Sequence, residues 1–271
     1  MTISLIPAHT RRPRERREPV EPELLDRPGL TPAQTERALR GLARVNRLLL
    51  GYRPVVATSR PRLAAGPAVQ RIVDLGTGSG DGAERVERAA EGSGVRLTVV
   101  GIDRKLGHLL VGRRLGRRQL RVVADAAALP LRAGACDWSL SSLFFHHFDA
   151  AANLRVLDEM HRVARRGAIV VDLRPGRLPY GLARLLIPLV GGCPVTRHDG
   201  PASVARAWPL DAVRRLTAEL PVAELRRRFP FRWSLVLVCS GGLDQPPSPQ
   251  ERDPAGAPPP SSGPAAPHTR P

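Results

Sequence analysis

Asp74-Leu-Gly76-Thr77-Gly78-Ser-Gly80 follows the short apolar run Ile72-Val73 with an acid and three alternate glycines. A β-branched run of this length reads as a buried strand, 71–75. A glycine turn at its end lets backbone approach a ligand, and the helix that follows, 81–91, points its first N–H groups at the same place. The chemistry this suits is the holding of a nucleotide-like molecule at the first βα turn of a doubly wound sheet. Two more acids, Asp103 and Asp125, stand after two more apolar runs, Val95–Ile102 and Leu120–Ala124. Ligands of open α/β sheets lie outside the carboxyl ends of the strands, so the three acids face one crevice. Asp103 is about where an acid accepts both hydroxyls of a ribose. Each acid alone also suits a helix N-cap; three of them with the glycine turn are more specific. After the fourth strand comes Leu143-Phe-Phe-His146-His147-Phe148, whose histidines are candidate bases or pocket-shaping residues.

A dinucleotide fold competes. Gly78-Ser-Gly80-Asp-Gly82-Ala83 fits G-x-G-x-x-A, but in that fingerprint the first glycine follows the strand directly. Here Gly76 does so, and counted from it the sixth position is Asp81. A ribose acid alone would also leave Asp125 without a role.

The elements that must position these residues alternate regularly. Thr31-Pro-Ala-Gln34 announces an N-terminal helix with a capping box, and Leu39, Leu42, Val45 and Leu49 recur along it at helical spacing to about Leu50. From Arg71 strands and helices follow in turn: helix 105–118, strand Cys136–Ser142, helix Asn153–Ala164 and strand Ala168–Leu173. A final pair, Val222–Arg227 and Trp233–Cys239, closes the sheet with its last strand antiparallel. Residues 174–206 form an insertion after strand five, and Leu178–Val190 within it is nearly all apolar, punctuated by Pro179 and Pro188. An apolar stretch beside a crevice is a lid, packed on its own core or against an acceptor.

Composition limits the rest. The chain has 271 residues, enough for one α/β domain with appendages. Residues 1–28, rich in Arg, Pro and Glu, are expected to be a disordered arm, 29–240 the domain, and 241–271 a disordered Pro-rich tail. No apolar run is long enough to span a membrane and no signal-peptide pattern opens the chain. Cys136, Cys193 and Cys239 are scattered and suggest neither a disulfide framework nor a zinc site. A reducing cytoplasm and no metal are therefore expected. The net charge of +17 is carried almost wholly by arginine and lies within 31–240. No basic stripe interleaved with aromatics accompanies it, which favours a solvated face over nucleic acid.

The arrangement D-x-G-x-G-x-G at Asp74–Gly80, Gly-Ile-Asp103, and Asp125 with Leu129-Pro130 resembles class I S-adenosylmethionine (SAM) methyltransferases, over about residues 40–240. The resemblance implies a Rossmann-like α/β fold: a seven-stranded, mostly parallel sheet with helices on both faces, an N-terminal helix and a lid insertion after strand five. It implies that Asp74, Gly76, Thr77, Gly78, Gly80, Asp103, Arg104, Asp125, Ala126 and Ser142 hold SAM, and that His147 or His146 serves catalysis. Helix and lid together are similar to small-molecule methyltransferases of ubiquinone and menaquinone biosynthesis. The chain departs from these at Arg165-Arg-Gly167, where they have P-G-G. The expected activity is methyl transfer to oxygen or carbon of a phenol, quinone precursor or polyketide. An RNA methyltransferase is the alternative, favoured by the basic body alone, since strand four ends in Ser141-Ser142 and not in the motif of base-amino enzymes. A non-catalytic SAM-binding partner subunit is a third reading, which the intact glycine loop and acids disfavour.

Overall fold

A computed structural model describes residues 23–190 and 193–239. The expected tail, and the arm up to residue 22, lie outside the described residues. Seven strands form one sheet: β1 (Val69–Leu75), β2 (Arg96–Asp103), β3 (Leu120–Val123), β4 (Cys136–Ser142), β5 (Ala164–Leu173), β6 (Val222–Arg228) and β7 (Arg232–Val238). Their order is β3-β2-β1-β4-β5-β7-β6, parallel throughout except around β7, which is antiparallel to both its neighbours. The chain reverses its direction of travel across the sheet between β1 and β4. That is the switch point at which a crevice opens beyond the strand ends.

Helices α1 (Pro32–Leu48), α2 (Arg53–Ala64), α3 (Asp81–Glu91), α4 (Leu106–Arg114), α5 (Ala150–Val163), α6 (Arg177–Val190), α7 (Pro194–Arg206) and α8 (Leu210–Leu216) cover both faces and the crevice. Thr31 caps α1 in a reciprocal box with Gln34, as the sequence predicts. The central strands are continuous apolar runs because both faces are covered. One face packs Leu157, Met160 and Val163 of α5 with Trp208, Val213 and Trp233; the other packs Val55 and Leu63 of α2 with Ala83 and Val86 of α3. Phe145 is held edge-on by Trp208 and Trp233, at ring separations of 6.0 and 5.4 Å.

Two expectations need correction, and two helices were not foreseen. The arm does not extend to residue 28: Leu24–Asp26 form a turn of 3-10 helix against α7, with Leu25 buried and Asp199 accepting the Leu24 and Leu25 N–H groups. α4 stops at Arg114 rather than continuing to 118, because Gly116 adopts φ +70°, a left-handed stop. α2 and α8 carry no expectation at all. α2 contains Pro54 at its start, where proline suits a helix, and Pro61 in its interior, which breaks the helical pattern.

Candidate active site

The glycine loop after β1 is fixed from several sides. Gly76, Gly78 and Gly80 all have positive φ, between 58° and 84°. Thr77 N–H donates to the Ile102 carbonyl at the end of β2, and the Thr77 side chain lies over Gly101, where any Cβ would approach it to 2.8 Å. A Cβ on Gly76 would come within 2.4 Å of the Phe144 ring. Gly80 stands off the cavity wall: its Cβ position is filled by Gln119, whose amide donates to the Gly80 carbonyl at 2.8 Å. It shapes the entry to α3 and lies behind the residues that line the cavity.

The loop, β2 and the lid enclose a cavity of about 630 Å³, ample for a nucleoside ligand with an acceptor beside it. Asp74, Gly76, Thr77, Gly78, Asp103, Arg104, Asp125, Ala126, Ser142, His146 and His147 all line it. Asp103 accepts the Gly78 N–H at 3.0 Å and the Lys105 N–H at 2.8 Å, so it ties the glycine loop to the end of β2. Asp125 is exposed and accepts the Ala127 N–H, a local turn bond that leaves its other oxygen free for a ligand. Asp74 is fully buried, and burial, reinforced by Asp81 and Asp103, pushes its carboxyl up to about 7. A buried acid surrounded by like charge is matched by a cationic ligand group.

In the same cavity the histidines meet three carboxylates. Leu143, at φ +58°, turns the chain off β4 so that both rings face inward. His146 is 4% exposed; its Nδ1 lies 2.8 Å from Asp172 on β5 and its Nε2 3.3 Å from Glu23. Burial opposes its charge, but the two carboxylates outweigh burial and raise it to about 10. His147 is one-fifth exposed; its Nδ1 lies 2.7 Å from Asp26 and its Nε2 3.9 Å from Glu23. Burial alone would raise Glu23 and Asp26, yet the two histidines hold Glu23 down to about 2, and His147, with Lys105 and Arg206, holds Asp26 below the usual carboxylate range. Asp172 is held low in the same way by His146. The sequence reading places the histidines here but not Glu23, Asp26 or Asp172. Only Asp172, an acid inside an otherwise apolar central strand, carries a visible signal. Pro179, Leu182, Ala183, Leu186 and Ile187 of α6, with Leu39, Leu42 and Val45 of α1, wall the apolar side.

The methyltransferase-domain family matches residues 73–171. The demethylmenaquinone methyltransferase of Thermus thermophilus is 34% identical over 142 residues, 48% of this chain and 62% of that protein. The match thus spans less than two thirds of that relative's length. Two solved structures share the fold. A SAM-dependent methyltransferase from Aquifex aeolicus has a TM-score of 0.53 at 15% identity, over 78% of this chain and 99% of that one. Human N-acetylserotonin methyltransferase in complex with SAM has a TM-score of 0.54 at 12% identity, over 77% and 56%.

Proposed function

We propose, from the premise that residues 73–171 form a class I SAM-dependent methyltransferase domain, that the protein methylates oxygen or carbon of a small, partly apolar acceptor such as a phenol or quinone precursor. One observation carries this reading: a single cavity is lined by the glycine loop and three acids and also by a histidine–carboxylate cluster and an apolar lid. The likeness to a demethylmenaquinone methyltransferase points to the same acceptor class. SAM, when bound, supplies a methyl group already activated on a sulfonium.

The residues present fit such a cofactor. Asp74 offers its buried carboxylate to the methionine ammonium, Asp103 to the ribose hydroxyls, and Asp125 with Ala126 and Arg104 borders the adenine. Gly76 and Gly78 allow backbone contact, Thr77 holds the loop on Gly101, and Ser142 lines the path toward the histidines. The protein has two further tasks, to align the acceptor and to exclude water. α1 and α6 do both by closing an apolar wall over the cavity. A hydroxyl beside His147 passes its proton to Nε2, while Asp26 fixes the ring through Nδ1. His146, with both nitrogens engaged, orders Glu23 and β5 and is a positioning residue. The test is calorimetry of SAM and NAD on the same sample, with turnover of His147→Ala. SAM alone should bind, and His147→Ala should keep that binding while turnover falls at least tenfold. NAD binding in place of SAM would overturn the reading.

A further inference from the structure

We infer that Glu23, His146 and His147 are the ligands of a divalent transition-metal ion at the acceptor end of the cavity, supported by the carboxylates of Asp26 and Asp172. One donor atom from each of the three residues lies within 4.8 Å of the other two. The 3.3 Å between His146 Nε2 and Glu23 Oε1 is about the edge of a tetrahedron around an ion with bonds of roughly 2.0–2.1 Å. His147 Nε2, 3.9 Å from Glu23 Oε2, needs only a small approach to complete the set.

The other ring nitrogens make the stronger case. Metal-ligating histidines almost always give their second N–H to a carboxylate or carbonyl, which fixes the tautomer and turns the free lone pair to the ion. Both histidines do this, and through separate elements: His146 Nδ1 with Asp172 of β5 at 2.8 Å, His147 Nδ1 with Asp26 of the N-terminal turn at 2.7 Å. Asp172 is itself fixed by the His146 N–H. Glu23 is oriented by the Ser203 hydroxyl, which donates to Oε1 at 2.7 Å. The rings lie side by side, with centroids 4.4 Å apart and planes 33° apart, so that both Nε2 atoms face one carboxylate. Two imidazoles, each braced from behind by its own carboxylate, thus converge on one buried glutamate.

Two imidazoles and one carboxylate suit zinc, iron(II) or manganese(II) better than magnesium or calcium, which prefer oxygen throughout. Three protein ligands leave a position open toward the cavity, and an acceptor oxygen there ionises more readily. In that state His147 Nε2 would be held by the ion and would not serve as base; the ion would favour ionisation of the acceptor hydroxyl, whose proton passes to solvent as the acceptor binds. This role rests on the methyltransferase reading; the ligand set does not.

The test titrates Co²⁺ into chelator-treated full-length protein, without cofactor or acceptor, and follows the visible spectrum, with Zn²⁺ as competitor. SAM affinity is measured on each sample as the check on folding. One equivalent should bind with the intense bands of a four- or five-coordinate ion and be displaced by Zn²⁺. Glu23→Gln and His147→Asn should each weaken binding about 100-fold or more, Asp26→Asn by about 10–100-fold, and His161→Ala not at all. A weak six-coordinate spectrum, or equal affinity in wild type and both ligand variants with SAM binding intact, would overturn the metal site and leave the methyltransferase reading standing. Absence of SAM binding by the wild type would count against that reading whatever the metal does.

Discussion

At the scale of single residues, the cofactor end rests on two acids with different tasks. Asp103 ties the glycine loop to β2 and keeps lone pairs for hydroxyl donors. Each charge-assisted bond is worth about 1.5–3 kcal/mol, so Asp103→Ala should weaken SAM binding at least tenfold by calorimetry; unchanged affinity would mean that the ribose lies elsewhere. Asp74 makes a pH prediction. Its carboxyl is raised from 3.8 to about 7, so the folded chain holds a proton that the unfolded chain has lost. Between about pH 4 and 7 this group's contribution to stability therefore falls as pH rises. A cationic ligand reverses the shift and expels that proton. SAM affinity should therefore climb with pH and level off above about 7, and Asp74→Asn should flatten the curve. Paired calorimetric titrations in buffers of unlike ionisation enthalpy read the proton directly, and no release at pH 6 in either buffer would contradict the assignment. Asp74 and Asp103 were legible because each ends an apolar strand at a spacing that puts it on the crevice. Glu23 and Asp26 were not. They sit in an Arg-, Pro- and Glu-rich segment whose only local sign of order is Leu24-Leu25, and their partners are remote in sequence.

At the scale of elements, most strands were readable from their apolar runs, the first three of them ending at Gly or Asp. Less readable were elements whose order comes from tertiary contact. α2 tolerates Pro61 because Val55 and Leu63 are buried against the sheet, and the 3-10 turn at 24–26 exists because α7 and the histidines accept it. A chain beginning at residue 29 lacks Glu23 and Asp26 and exposes His147. It should keep SAM affinity within about threefold but lose most turnover, whereas a chain beginning at 23 should keep both. Full turnover in the shorter chain would remove the turn from the site. The lid is tested separately. Leu186 of α6 lines the apolar wall of the cavity, so Leu186→Asp should leave SAM binding nearly unchanged while turnover falls, because a carboxylate on that wall disfavours an apolar acceptor or lid closure. Loss of SAM binding in this variant would make α6 part of the folding core.

At the scale of the whole molecule, the expected α/β architecture with an antiparallel closing strand is the one found, and the crevice lies at the reversal between β1 and β4. Among the described residues no helix is long and apolar enough to cross a membrane. The cavity is lined by more acids, among them Asp74, Asp81 and Asp103, than basic residues, Arg104, Lys105 and Arg232, so the charge of +17 is not concentrated there. RNA should accordingly bind weakly and without sequence preference, with affinity falling steeply as salt rises; tight, sequence-selective binding at physiological salt would favour an RNA acceptor. The central claim, methyl transfer from SAM to a small apolar acceptor, is tested most directly by methyl-labelled SAM incubated with a panel of phenols and quinols, followed by extraction into organic solvent. The structure predicts label in the extract for at least one acceptor, absent without enzyme and reduced at least tenfold by Asp103→Ala at limiting SAM. An extract without label across the panel, with label instead in added RNA, would contradict it.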